Sequence, residues 1–250
     1  MREWGLVPEA AFEKVVIISP HLDDAVLGCG QLMSAHPGAV VVTIFAGNPS
    51  TYPEPQREWD RQSGFMPGDD VMAARRFEDH QALAMLDATP VHLDFVEYSY
   101  NENDRPVRSA TIAPAIGDAL RLLSPSMVLL PFGLANPDHD VTHRAALQAV
   151  SESGHENVFV YEDHGYKHIP GMLAWRISQL FRGGLWPTPA CPRTDPSTDR
   201  KLAAMAQYPS QMQALDDDWQ IRAKLAAPAP EQIWRLADPP QGWEGLTHAT

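Results

Sequence analysis

Short runs of β-branched and other apolar residues alternate along the chain with longer segments in which apolar positions recur every three or four residues. A continuous apolar run predicts a strand that is covered on both faces, because such a strand has no solvent-facing side. Five strands are predicted on this basis, at residues 14–19, 40–45, 91–95, 127–132 and 157–161.

The segments between these strands have the periodicity of amphipathic helices. They predict helices at residues 24–36, 71–86, 112–123 and 142–151. In the second of these helices, the apolar positions expected to face the core are Ala74, Phe77, Ala82 and Met85. Strands and helices alternate to about residue 165, and this order predicts an α/β fold with a Rossmann-like, mostly parallel sheet and helices on both faces.

The last third of the chain, residues 167–250, has helical pieces that are interrupted by prolines. The strongest helix predictions there are residues 200–212 and 216–225, and residues 187–196 predict an irregular loop. Earlier in the chain, residues 47–70 predict a long loop with some local helix. Loops of that length are usually functional or mobile.

The composition is compatible with one large domain, since 44% of the 250 residues are hydrophobic. We predict a single domain over residues 1–250, with its core at about 14–166 and a C-terminal elaboration after it. The net charge of −13 argues against nucleic-acid partners and anionic membranes, which attract basic proteins. The sequence starts without the apolar run of a signal peptide, so we expect a cytoplasmic protein with no membrane partner.

Histidines and carboxylates follow three of the predicted strands. The first strand is followed by Pro-His-Leu-Asp-Asp at residues 20–24, the fourth by Asn-Pro-Asp-His at 136–139, and the fifth by Glu-Asp-His at 162–164. The carboxyl ends of parallel strands meet at one edge of a sheet, where open α/β folds bind their ligands. We therefore expect these three segments to form one site.

The first two segments contain the ligand types of a catalytic metal ion. His21 and Asp24 are three residues apart, so a single turn brings both to one side. An imidazole nitrogen and a carboxylate oxygen are ordinary zinc ligands. His139 is the predicted third ligand, and Asp138 is predicted to orient it from behind. Three ligands leave one position open for water, towards which Asp23 is expected to point.

Each of these features also has a purely structural interpretation. An Asp-Asp pair at the start of a helix often caps that helix, and a single histidine after a strand is more often structural than a ligand. The coincidence of both segments in one chain favours the metal site. The Gly28-x-Gly30 pair is weak evidence for a dinucleotide site, because no third glycine follows and Asp23 and Asp24 would repel a pyrophosphate.

The run SPHLDDAVLGCG at residues 19–30 resembles the first signature of the LmbE-like, or PIG-L-like, zinc-dependent N-deacetylases. Residues 136–139 resemble the second signature of that family, which usually has the sequence His-Pro-Asp-His. RRFEDHQALAML at 75–86 and YEDHGY at 161–166 resemble further family segments. The resemblance covers roughly residues 14–166. It implies a hydrolase that removes an N-acyl group, expected to be acetyl, from an amino sugar or a sugar conjugate.

The resemblance also implies roles for the residues at the strand ends. His21, Asp24 and His139 would bind Zn²⁺, and Asp23 would be the general base that takes a proton from the attacking water. Asp138 would lie behind the ligands or take part in a proton relay. A protonated Asp23 could also return its proton to the leaving amine.

Substrate contacts and the proton donor are assigned less directly. Arg75 matches a substrate contact of some family members, and Glu97 is a candidate contact to a sugar hydroxyl. The first histidine of the second signature is Asn136 here, and an amide can donate a hydrogen bond to an oxyanion but cannot be an acid near neutral pH. His143 and His164 are the histidines that could protonate the leaving amine, although His143 fits a helix surface equally well.

Two other functions stay open. One is an amidase that uses the same site for another acyl group or for a thiol conjugate, and the other is a non-catalytic metal-binding or sugar-binding protein. Within residues 47–70, Tyr52 and Trp59 could form a lid or a platform for a sugar or acyl chain, or could be ordinary surface packing. The expected partner is a small amide or sugar conjugate, and the sequence is compatible with a homo-oligomer.

Overall fold

The computed structural model describes residues 6–101, 104–192, 197–221, 223 and 230–238. The strands in these residues are β1 (Leu6–Val7), β2 (Val15–Ser19), β3 (Val40–Thr43), β4 (Thr89–His92), β5 (Met127–Pro131), β6 (Val158–Tyr161), β7 (Trp186–Pro192) and β8 (Ile233–Ala237). The helices are α1 (Asp24–Ala35), α2 (Glu58–Gln62), α3 (Val71–Ala84), α4 (Ser109–Leu123), α5 (Pro137–Ser153), α6 (Met172–Arg182), α7 (Thr198–Met205) and α8 (Pro209–Trp219). No helix in this described part of the chain has the length and apolar character needed to cross a bilayer.

The strands of the described residues form one eight-stranded sheet with the order β1-β7-β8-β6-β5-β2-β3-β4. Strands β2 to β6 pair in parallel, and β8 pairs antiparallel with both β6 and β7. These five central strands are the ones that the sequence predicts, so the predicted α/β fold is confirmed, and β1 pairs in parallel with β7 at the edge of the sheet. From β2 the chain adds β3 and β4 on one side, and then returns to the other side of β2 for β5 and β6. This reversal opens a crevice between the carboxyl ends of β2 and β5.

The two faces of the sheet carry separate hydrophobic cores, because successive residues of a strand point to opposite faces. Val15 and Ile17 of β2 lie in a core that includes residues of α1, α3 and α7. Val16 and Ile18 lie in a second core that includes residues of α4, α5 and α6. Helices therefore cover both faces, as the alternating pattern predicts.

Of the apolar stripe predicted for α3, only Ala82 is buried in the core. Phe77 is 66% exposed, whereas Arg75 and Asp79 are 3% and 2% exposed. The two charged side chains face inward because each has a buried partner: Arg75 Nη2 donates to Asp60 Oδ1 at 2.9 Å, and Asp79 Oδ1 accepts from the Tyr208 hydroxyl at 2.7 Å. The hydrophobic pattern predicts that charged residues face solvent, so it cannot predict charged residues that are buried in pairs.

The segment predicted as an irregular loop at 187–196 is a strand for most of its length. It forms β7, which pairs antiparallel with β8, while residues 193–196 lie outside the described part of the chain. Pro187 and Pro189 are two residues apart, so their missing N–H groups face the same edge of β7. The other edge keeps its donors for β8, and this is why a proline-rich segment can join the sheet.

The predicted helix at 200–212 is two helices in the structure. The first, α7, ends at Met205, and α8 begins with Pro209 in its first turn, where proline has no N–H bond to lose. Helix α8 continues to Trp219, and the end of the helix predicted at 216–225 lies partly outside the described residues. The single domain over the whole chain stays a prediction.

Gly28 lets α1 approach β6 closely. A Cβ atom on Gly28 would lie 2.6 Å from Cδ2 of Tyr161. The buried hydroxyl of Tyr161 donates to the carbonyl of Ile18 in β2 at 2.9 Å. The glycine therefore sets the distance between α1 and two central strands, and its presence needs no dinucleotide.

We expect Gly28→Ala to destabilise the protein by about 1–3 kcal/mol, because the added methyl group overpacks the contact with Tyr161. Gly117→Ala in α4 is the matched control, since the nearest atom to its added Cβ is 3.5 Å away. That substitution should stabilise the protein by about 0.5–1 kcal/mol through helix propensity. Urea unfolding of both variants measures the difference, and equal free energies of unfolding would contradict the close packing.

Candidate active site

The turn after β2 brings His21 and Asp24 together. The Ser19 hydroxyl donates to the His21 carbonyl at 2.7 Å and accepts the Ala25 N–H at 3.1 Å. The backbone N–H of His21 in turn donates to Asp24 Oδ2 at 2.9 Å. These bonds close the turn, so that His21 Nδ1 lies 3.2 Å from Asp24 Oδ2.

Helix α5 begins at Pro137, earlier than the predicted start at residue 142. Asn136 is its N-cap, and its Oδ1 accepts the Asp138 N–H at 2.8 Å. Proline suits the first turn because it has no N–H to leave unpaired. Asp138 and His139 therefore lie in the first helical turn, where the helix fixes their directions.

Three side chains from these two elements form a ligand set. Asp24 Oδ2 lies 3.2 Å from both His21 Nδ1 and His139 Nε2. One ligand atom from each residue lies within 4.8 Å of the others, so the group could hold a metal ion. Two imidazole nitrogens and one carboxylate oxygen are the donors of open catalytic zinc sites.

The second nitrogen of each histidine meets a buried carboxylate, as metal-binding histidines generally require. His139 Nδ1 donates to Asp163 Oδ1 at 2.5 Å, and Asp163 Oδ2 accepts the Gly133 N–H at 2.9 Å. His21 Nε2 donates to Asp138 Oδ2 at 3.1 Å. These bonds hold both rings with one nitrogen towards Asp24, so the residues present fit a bound metal.

The expectation that Asp138 orients His139 is wrong. Asp138 contacts His21, and its Oδ2 also accepts the Tyr98 N–H at 3.0 Å. The reason is helical geometry, because neighbouring residues of a helix do not face each other. Asp163 takes the predicted role, from the carboxyl end of β6.

Burial and mutual charge shift the pKa values of this cluster in different directions. Burial, reinforced by the charge of Asp24, raises the pKa of Asp23 to about 7. Burial also acts to raise the pKa of Asp24, but His139 and His21 outweigh it and hold that pKa well below its usual range. Burial acts to lower the pKa of His139, but Asp24 and Asp163 outweigh it and raise the pKa to about 9. The pKa of His21 is raised as well, so the two histidine ligands hold protons that a metal ion must displace.

A cavity of about 300 Å³ opens over this cluster. Five of the predicted residues line it, namely Asp23, Arg75, Glu97, Asn136 and His164. Glu97 Oε1 accepts the Ser99 hydroxyl at 2.5 Å. Arg75 uses both terminal nitrogens on internal partners, Asp60 Oδ1 at 2.9 Å and the Tyr100 hydroxyl at 3.2 Å.

His143 is not a proton donor to this cavity. It is 1% exposed, and its Nδ1 donates to the carbonyl of Pro131 at 2.8 Å, so the helix-surface interpretation is also wrong. Burial, with the nearby Arg176 charge, lowers the pKa of His143 to about 4. His164 is the histidine of the two that lines the cavity.

The structure adds cavity residues that the sequence analysis did not select. Tyr166 accepts a bond from Asn136 Nδ2 at 3.3 Å, and its ring meets His139 edge to face with centroids 5.1 Å apart. The sequence feature that could have identified Tyr166 is its position two residues after His164 in the YEDHGY run. Gln211 of α8 accepts from Trp59 Nε1 of α2 at 3.0 Å, and no local pattern indicates that contact.

Of the two aromatic residues of the long loop, Trp59 lines the cavity. Tyr52 instead ties the loop to the start of α3. Its hydroxyl donates to Asp70 Oδ1 at 3.1 Å and accepts the Met72 N–H at 3.0 Å. The idea of an aromatic platform therefore concerns Trp59.

In a comparison with known proteins, residues 16–150 match the PIG-L family, which is described as GlcNAc-PI de-N-acetylase. The match covers more than half of the chain. The A40926 pseudoaglycone deacetylase Dbv21 is 27% identical, with a TM-score of 0.71 over 90% of this chain and 97% of its own. A triple mutant of the deacetylase Orf2 of the teicoplanin biosynthetic pathway is 26% identical, with a TM-score of 0.75 over 92% of this chain and 100% of its own. The N,N'-diacetylchitobiose deacetylase from Pyrococcus horikoshii shares the fold at 18% identity, with a TM-score of 0.58 over 95% and 86%. No curated protein matches the chain.

We expect Asp163→Asn to weaken Zn²⁺ binding by about 10–100-fold, because His139 then loses the charge that orients it and raises its basicity. Competition with a chromophoric chelator measures the affinity. Glu152→Gln is the control, since Glu152 is an exposed carboxylate in α5, the helix that contains His139, but at the opposite end of it. Equal affinities in the two variants would show that Asp163 does not support a metal ligand.

His143 makes a separate prediction about stability. Its folded pKa of about 4 lies below the ordinary 6.5, so the unfolded chain takes up a proton first as the pH falls. Between about pH 6.5 and 4 the wild type should lose up to about 3 kcal/mol of stability through this group. His143→Gln should lack that loss while it keeps a donor for Pro131. Unfolding free energies of both proteins across this range give the difference, and parallel curves would refute it.

Proposed function

The chain belongs to the PIG-L family, and from that premise we propose that it is a zinc-dependent N-deacetylase of an amino sugar or a sugar conjugate. The observation that carries the proposal is the His21, Asp24 and His139 set, with Asp23 beside it in the wall of one cavity. The family description and the names of Dbv21 and Orf2 all refer to deacetylases.

Zinc bound by this ligand set would lower the pKa of a water and polarise an amide carbonyl. We assign to Asp23 the role of accepting a proton from the attacking water. Asp23 is 8% exposed and lines the cavity, and burial raises its pKa to about 7. A carboxylate with a pKa near the working pH is an effective general base, and its protonated form can afterwards act as an acid.

Asn136 supports the oxyanion that forms when the amide carbonyl is attacked. Its Oδ1 is held by the Asp138 N–H, so Nδ2 is the end turned to Tyr166 and the cavity. Burial raises the pKa of the Tyr166 phenol, which keeps its proton at neutral pH. The amide and the phenol thus offer two neutral donors where charge develops.

His164 and protonated Asp23 are the two groups assigned to return a proton to the leaving amine. Both line the cavity. An amine leaves only as a neutral molecule, so one of them must donate when the C–N bond breaks. Asn136 cannot, because an amide is not an acid near neutral pH.

The cavity volume of about 300 Å³ lies at the lower end for ligand sites and suits one N-acylated sugar ring. Glu97 and Ser99 line this cavity, and we assign them contacts to ring hydroxyls. Leu27, Met72 and Leu215 add apolar surface to the same cavity, which favours testing acyl groups longer than acetyl as the second candidate activity.

We expect acetate release from N-acetylglucosamine or one of its glycosides, lost on chelation and restored by zinc. Asp23→Ala should keep zinc and lose turnover by about 10²–10⁴-fold, since only the proton transfer is removed. Asp118→Asn is the control, as its carboxylate pairs with Arg121 on the surface of α4. Substrate assays with acetyl and longer acyl amides, together with metal analysis, check both points.

The outcomes separate the alternatives. Loss of zinc from Asp23→Ala would make Asp23 a ligand rather than the base. Cleavage of longer acyl amides only would assign the amidase activity. Zinc bound at one equivalent without release from any substrate would favour a binding protein.

A further inference from the structure

Two charged side chains from the C-terminal third, Lys201 and Glu231, form hydrogen bonds with backbone groups of α1. Lys201 Nζ donates to the carbonyl of Leu27 at 2.7 Å. The carboxylate of Glu231 accepts the Gln31 N–H at 2.8 Å and the Leu32 N–H at 3.0 Å. In a helix the carbonyl of one residue ordinarily accepts a bond from the N–H four residues later. By this rule the carbonyl of Leu27 and the N–H of Gln31 are expected to pair. Lys201 therefore bonds to the acceptor, and Glu231 to the donor, of the same expected backbone pair.

Lys201 and Glu231 form a buried ion pair, with Nζ and Oε1 2.6 Å apart and side chains 5% and 9% exposed. The Glu231 backbone N–H donates to Gln31 Oε1 at 3.0 Å, which adds a further bond to α1. Gly30 makes room for the lysine, because a Cβ there would lie 2.8 Å from Lys201 Cγ. Such a pair is stable only when bonds of this number compensate for the loss of water.

The part of α1 next to this pair carries the site. Its first turn is held at one end by Ser19, whose hydroxyl accepts the Ala25 N–H at 3.1 Å, and at the other end by Lys201 on Leu27. Asp24 directly precedes Ala25 at the start of this turn, with Oδ2 at 3.2 Å from a nitrogen of each histidine. Ligand sets work only when they are held to within about 0.5 Å, so an anchor one turn away controls the geometry.

We propose that Lys201 and Glu231 are a positioning pair, which fixes the first turn of α1 and thereby holds Asp24 and Asp23 against His139. The inference rests on the metal centre of the proposed function. Both residues lie beyond residues 16–150, the part that matches the family. The described part of the C-terminal third would then hold in place a metal site whose three ligands, His21, Asp24 and His139, all lie within residues 16–150.

The test compares Zn²⁺ affinity in the full-length wild type and in the double variant Lys201→Met with Glu231→Met. The double variant removes both charges, so neither is left buried alone. Its zinc affinity should be weaker by about tenfold or more, the effect expected when support behind a ligand is lost. Affinity is measured by chelator competition at a temperature well below thermal unfolding, which is recorded for each protein.

Arg200→Gln is the matched control, because Arg200 is the neighbour of Lys201 on α7 and donates to Ser34 at the opposite end of α1. It should leave zinc affinity unchanged even if it lowers the unfolding temperature. Should this double variant fail to fold, Lys201→Gln with Glu231→Gln removes both charges but keeps polar side chains, and a loss of zinc affinity in the same direction is expected.

Unchanged zinc affinity in a variant with a lowered unfolding temperature would overturn the inference and leave the pair a purely structural one. A wild type that binds no zinc would overturn it together with the metal centre. Normal zinc binding that depends on the pair, without acetate release, would overturn the proposed deacetylase activity alone.

Discussion

Asp24 Oδ2 lies 3.2 Å from one nitrogen of His21 and from one nitrogen of His139, and the surrounding structure is arranged to keep it there. The two histidines follow different strands, β2 and β5, which are neighbours in the sheet although α1, β3, α2, α3, β4 and α4 separate them in sequence. Only the reversal of strand order beside β2 brings both strand ends to one crevice. A carboxylate at the first residue of α1 can then reach both rings.

Buried charge is the cost of this arrangement, and nearly every charged group near the site has a specific partner. Asp163 and Asp138 each bond to a histidine and to a backbone N–H. Arg75 and Asp60 pair below the cavity, and Lys201 with Glu231 pairs behind α1. Partners of this kind allow carboxylates and histidines to remain in a buried site, where their interactions are stronger than in water.

The asparagine at position 136 means that another residue must be the acid of the proposed reaction. Asn136 is both the N-cap of α5 and a donor to Tyr166, so it has a structural and an electrostatic task but no acid function. The proton needed by a leaving amine must come from another cavity residue. Asp23 suits this because its pKa of about 7 lets it hold a proton for part of each cycle.

The sequence by itself determined the parallel strands, the helices between them and the grouping of His21, Asp24 and His139, because periodicity and the three-residue spacing report local geometry and strand ends converge by a general rule. It could not determine which carboxylate supports which histidine, nor that α3 buries Arg75. The deciding contacts join distant residues: His21 to Asp138 across 117 positions, Leu27 to Lys201 across 174 and Gln31 to Glu231 across 200. Only the order of the strands and the packing of the helices decides such pairs, because a local pattern has no information about which segments become neighbours.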